Sequence, residues 1–132
     1  MFNKLKQHKS NRIDSLIGQG STVGGDVCFS GGLRIDGVVV GNVSGQGDKG
    51  STLVVSEKAR IEGGVVCTHL ILNGEIAGPI EVSQYVELQP KARVRGDLCY
   101  KTLEVHPGAV VEGRLRYYAE GSSSGEIAPA AD

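Results

Sequence analysis

Gly45, Gly47 and Gly50 have the spacing G-x-G-x-x-G, the first pattern in this chain that could do chemistry. Such glycines let a backbone cradle a pyrophosphate when the loop follows a strand and opens a helix. Here Ser51, Thr52, Leu53, Val54 and Val55 follow, which lead into another strand, so the spacing predicts a turn insertion and no phosphate site. His69 and His106 have the right group for general acid–base work. His69 precedes a strand and His106 sits beside Pro107 in a turn, and no Ser or Cys nucleophile with an orienting acid accompanies either. Both read as surface residues. Carboxylates on neighbouring repeats could pair as in a glycoside-cleaving site, but enzymes of that kind build their cleft from long loops, and the loops here are short. Cys28, Cys67 and Cys99 are odd in number and far apart, unlike a disulfide framework or a zinc site. They read as thiols in a reducing cytoplasm. Asn42 and Ser44 complete a glycosylation acceptor that means nothing without export. The expectation is therefore no catalytic residue, no cofactor and no metal, in a protein that is not an enzyme.

The elements that carry these residues are set by a repeat of about seventeen residues. One copy holds Leu53, Val55, Ala59, Ile61, Gly63 and Val65; the next clear ones hold Val86, Leu88, Ala92, Val94, Gly96 and Leu98, then Leu103, Val105, Ala109, Val111, Gly113 and Leu115. Shorter copies lack two turn residues and run from Leu70 to Ile80 and from Leu33 to Val43, and a worn one from Val23 to Val27. Self-similarity at a short period means a solenoid. Apolar residues alternate within each copy, which is the period of a strand. Successive copies repeat rather than mirror, so each stacks in parallel on the last: an all-β parallel β-helix with one copy per rung. A glycine column at 25, 41, 63, 78, 96 and 113 gives about six rungs, and at ~4.8 Å per strand these form a rod of roughly 29 Å. Val94, Leu98 and Val111 should point inward, alternating with the charged Arg93, Arg95, Asp97 and Glu112. The enzymatic rival is a hexapeptide-type acyltransferase or a small carbohydrate-active protein on a β-helix. Ile17–Gly18 and Val23–Gly24 give one hexapeptide step, but Phe29–Ser30 and Ile35–Asp36 break it.

Composition agrees with one narrow coil. The 132 residues are 39% hydrophobic but only 5% aromatic, without Trp, which suits a core of aliphatic columns. A net charge of −1 gives no global pull toward nucleic acid, and no nucleic-acid partner is expected. No apolar run is long enough for a signal peptide or a membrane span. The organisation reads as a basic, flexible tail (1–13), a coil (14–118) and a small, polar, disordered tail (119–132).

The repeated block L-x-V-x-x-x-A-x-V-x-G-x-L, with Gly96, Asp97 and Leu98 and then the run from Pro107 to Gly113, resembles the bactofilins, bacterial polymer-forming cytoskeletal proteins. The resemblance covers roughly residues 15–117; the insertion at 45–50 and the degenerate first rung depart from it. It implies a right-handed parallel β-helix with flexible tails that assembles without nucleotide into nonpolar filaments. It also implies a membrane-associated scaffold that recruits cell-wall enzymes or cell-shape factors, cytoplasmic and peripheral on the inner face of the membrane.

Two surfaces follow from the residues themselves. No amphipathic helix caps the coil, so the ends, marked by Ile13, Leu16 and Ile17 and by Leu115, Tyr117 and Tyr118, should stack on further copies of the chain. The first dozen residues carry Lys4, Lys6, Lys9 and Arg12 beside the apolar Met1, Phe2 and Leu5, a pattern suited to an anionic lipid surface. Met1, Phe2 and Lys4 also match the short membrane-targeting segment that the resemblance implies.

Overall fold

The computed structural model describes residues 13–117, and every regular element among them is a strand. Strands β1 (Ser15–Ile17), β2 (Thr22–Gly24), β3 (Val27–Ile35), β4 (Val38–Val40), β5 (Val43–Val55), β6 (Arg60–Glu62) and β7 (Val65–Leu72) are followed by β8 (Glu75–Ala77), β9 (Ile80–Leu88), β10 (Arg93–Arg95), β11 (Leu98–Tyr100), β12 (Thr102–Val105), β13 (Val110–Glu112) and β14 (Leu115–Tyr117). All pairings are parallel and fall into two ladders. One runs β2-β4-β6-β8-β10-β13, a three-residue strand in every rung. The other contains the long strands, each of which passes round a bend and supplies two segments. After β9 the long strand divides at Lys101 into β11, which pairs with the first part of β9 and in turn with β14, and β12, which pairs with the second part of β9. The coil is therefore a six-rung parallel β-solenoid with three strand segments to a rung.

Alternation determines the core. Val39, Ile61, Ile76 and Val94 pair in sequence along the short ladder and are completely buried, while Arg60, Arg93 and Arg95 beside them are exposed. A second column runs Val43, Val65, Ile80 and Leu98, and Leu33, Leu53, Leu70 and Val86 form a third. A one-residue slip would send the charged set inward, so the register is strongly specified. Ala59 and Ala92 fill the corner at the four-residue turns, whose amide closes back to Ser56 and Gln89 at 2.9 Å. Where the turn shrinks to two residues, glycine is required: a Cβ on Gly74 would lie 2.3 Å from the Ser56 carbonyl oxygen.

The glycine column marks the tightest corner. A Cβ on Gly63 would lie 2.1 Å from the Gly41 carbonyl oxygen, and one on Gly113 would lie 2.0 Å from that of Gly96. The position after each glycine carries a second ladder. The Asp26 carboxylate accepts from the Asn42 amide at 2.9 Å, the Asn42 side chain from the Gly64 amide at 2.8 Å, and Asp97 from the Arg114 amide at 3.1 Å. Gly64 has no side-chain acceptor to offer, and the residue above it, Pro79, has no amide to satisfy.

Two expectations change. The segment at 45–50 is no turn: it lies inside β5, where the register shifts against β3 and β7, and it leads into strand as the missing helix required. Ser51 is buried there and its hydroxyl oxygen accepts from the Thr68 amide at 3.2 Å. The worn first copy builds a complete rung, with β1 and β2 paired to β3 and β4. Val111 points inward, in register with Val94, but is only half-buried because β13 is in the last rung of the described residues. Replacing the fully enclosed Val94 by Asp should therefore unfold the coil, since the several kcal/mol needed to bury an unpaired carboxylate rival a stability of about 5–15 kcal/mol. Arg95→Val should leave the melting temperature nearly unchanged by circular dichroism. The opposite pattern would mean that the faces are reversed.

Candidate functional site

A strand in the middle of the coil has a neighbour on both sides, and the terminal strands do not. Among the described residues β12, β13 and β14 each pair on one side only, with β9, β10 and β11. β1 and β2 are likewise one-sided at the other end. No helix caps either end among the described residues. Unpaired strand edges are templates for a further strand.

Among the described residues the apolar core is open at the C-terminal end. Leu115 continues the column of the buried Leu98 yet is 43% exposed, and Tyr117 continues that of Tyr100 and is 46% exposed. The two tyrosine rings meet edge to face, 6.3 Å between centroids. Val105 is 50% exposed, and Leu103, Ala109 and Val111 are half-buried. At the N-terminal end Ile17 and Val23 are half-buried over Ile35 and Val39. Leu16 is exposed but pairs with Arg34, which places it in an outward column on the flank of the edge. Ile13, also exposed, lies just before β1.

The residues named from sequence thus fall at two opposite ends, Ile13, Leu16 and Ile17 at one and Leu115 and Tyr117 at the other. Tyr118 lies outside the described residues, as do Met1, Phe2, Lys4, Leu5, Lys6 and Lys9. The structure adds Val105, Val111 and Val23, which the repeat assigns to the core. The signal was their place in the first and last copies, where a core column has no neighbour to close it.

One polar cluster lies close to the C-terminal edge. The Glu87, Glu104 and His106 ligand atoms lie within 4.8 Å of one another, close enough to share a cation. In the protein they satisfy each other. His106 Nε2 is 3.0 Å from Glu87 Oε2 and 3.4 Å from Glu104 Oε2, the Tyr85 hydroxyl donates to Glu104, and the Gln89 amide donates to Glu87 at 3.4 Å. These contacts clasp the last rung to the one below it. The hydrogen bond to Glu104 pushes the Tyr85 phenol up to about 12. His69 lies within β7, correcting its placement before a strand, and burial holds its imidazole below the usual range. Cys67 is buried and its thiol is pushed up to about 12 by desolvation, whereas Cys28 is exposed; all three thiols are free.

The comparisons decide the family. A family model described as bactofilin, polymer-forming cytoskeletal, matches residues 15–116. The chain belongs to the bactofilins. The fold and extent of the match agree, because the matched segment is the six-rung coil. Among solved structures it is similar to the bactofilin of Thermus thermophilus, with 30% identity over 80% of this chain and 100% of that one and a TM-score of 0.66. That structure is a cryo-EM reconstruction of double helical filaments. No curated protein sequence matches the chain. A bactofilin is a structural, polymer-forming protein, which accords with the expectation of a non-enzyme. No helix among the described residues is long and apolar enough to cross a membrane.

The clasp makes a pH-dependent prediction for this bactofilin. The phenol that is raised in the folded state binds its proton more tightly there than in the unfolded chain. Its contribution to stability is complete below about pH 10 and is lost as pH rises toward 12. The NMR signal of the Tyr85 ring should titrate near 12, and in Glu104→Gln it should return toward 10. An unchanged midpoint in that variant would remove the clasp.

Proposed function

We propose that this bactofilin is the subunit of a cytoskeletal scaffold that assembles end to end, without nucleotide, into nonpolar filaments. The observation that carries this reading is the open coil: among the described residues both ends present strands paired on one side only over exposed or half-buried aliphatic residues. Covering Val105, Leu115 and Tyr117 with another subunit removes apolar surface from water, worth about 25 cal/mol per Å², and completes the ladder hydrogen bonds. The strand insertion at 45–50, which is no phosphate-binding loop, supports assembly without nucleotide. The double helical filaments of the Thermus relative support assembly into a polymer. Leu115→Arg or Tyr117→Arg should leave the β circular-dichroism signal intact and reduce the sedimenting polymer at least tenfold. Full-length filaments by electron microscopy in both variants would place the contacts elsewhere.

The segment at 1–13 is the membrane contact in this proposal. Each basic residue near an anionic leaflet contributes about 1 kcal/mol, and the apolar Phe2 adds a shallow insertion, so one tail binds weakly. A filament arrays many such tails and converts weak contacts into avid attachment on the inner face of the membrane. There the filament would organise cell-wall enzymes or cell-shape factors as clients. Liposome co-sedimentation should depend on anionic lipid, and should fall several-fold in Phe2→Ala, in Lys4→Ser with Lys6→Ser, and in Leu115→Arg. Polymer that ignores anionic liposomes would give the tail another role.

A further inference from the structure

We propose that two copies of the chain meet at their C-terminal ends about a two-fold axis through the β13 face, so that β13 pairs antiparallel with β13 of the second copy while β12 pairs with its β14. This pairing rests on the nonpolar end-to-end assembly proposed above and adds the register of one junction. A two-fold axis perpendicular to the rod reverses every strand, so all ladder contacts across the junction become antiparallel. A three-sided coil offers three such axes, one through each face, and the charges on the edge distinguish them. An axis through the β14 face sets Arg116 opposite Arg116 of the second copy. One through the β12 face sets Glu104 opposite Glu104. The axis through the β13 face sets Glu104 opposite Arg116, twice. Like charges directly opposite each other destabilise an antiparallel pair and unlike charges stabilise it.

The remaining positions agree with this choice. Glu104 and Arg116 are each the outward residue of their strand, paired with Glu87 and Cys99 of the rung below. Aligning them leaves Leu103 and Val105 facing Tyr117 and Leu115 of the second copy, closing the open core with apolar residues from both sides. On the β13 face Val111 meets Val111, and the exposed Val110 lies against the stem of Glu112 instead of charge meeting like charge. Arg116 also has capacity to spare. The Asp97 carboxylate stands 3.7 Å from its Nε, beyond hydrogen-bond distance. A head-to-tail junction would continue the existing columns and place Arg116 over Cys28 and Glu104 over Leu16, giving neither a counter-charge.

Disulfide trapping in assembled full-length protein tests the pairing. With Cys28 and Cys99 changed to Ser, Val111→Cys should form self-linked dimers on mild oxidation, since directly opposed Cα atoms about 4.5–5.5 Å apart suit a disulfide. Glu104→Cys and Arg116→Cys should not link to themselves, but should link to each other when the two proteins are mixed. As a second measurement, Arg116→Glu should shorten filaments at least tenfold with the β circular-dichroism signal unchanged. Self-linking at Glu104→Cys or Arg116→Cys would overturn the choice of axis, and linkage of Arg116→Cys to a retained Cys28 would show a head-to-tail junction. Either leaves end-to-end assembly standing. No linkage at any of these positions in intact filaments would overturn the end-to-end reading itself.

Discussion

The in-register parallel ladder is the constraint on which the rest of this structure depends. Every rung gives amides to the next, as in Val43 to Gly64, Val65 to Pro79, Ile80 to Asp97 and Leu98 to Arg114, all at 2.8–2.9 Å. Buried backbone groups must be paired, and in a solenoid only the adjacent rung can do so. The rungs must therefore keep the same outline. That requirement selects aliphatic residues of similar size in each inward column, alanine at the long turns, and glycine wherever one carbonyl lies directly against the next Cα. Charged residues add little: exposed pairs such as Arg60 with Glu62 and Arg95 with Glu75 stand at 2.8 and 3.4 Å, a type worth about 0–1 kcal/mol.

The same constraint makes the ends reactive. A repeat that satisfies its neighbour above and below leaves the first and last rungs half satisfied, and stacking buries the deficit without any new chemistry. In the proposed end-to-end assembly, function is an extension of folding, since the columns that close the core inside one chain are the ones that would close it between chains. The clasp of Tyr85, Glu87, Glu104 and His106 contributes by holding β12 on β9.

Much of this was legible in the residues. The alternation of Val94 with Arg93 and Arg95, and the glycine spacing from 25 to 113, were enough for a parallel coil of about six rungs. The three-segment outline was harder to read, because the segment after each glycine corner carries apolar residues on its outer side as well: Val66 is 47% exposed and Cys99 faces outward opposite Glu81 and Arg116. The insertion at 45–50 has turn composition, yet the strands on either side hold it as an irregularity within β5. The half-open state of Val111 has no signature in residue type at all. It follows from the place of β13 in the last rung of the described residues, a property of position in the stack.

Fibre diffraction from aligned filaments tests the central claim most directly. If subunits stack end to end so that the rungs continue through the polymer, the strands lie across the filament axis. A sharp meridional reflection at about 4.8 Å is then required. A 4.8 Å reflection on the equator, or none on the meridian, would show that the coils do not stack along the filament and would contradict the account.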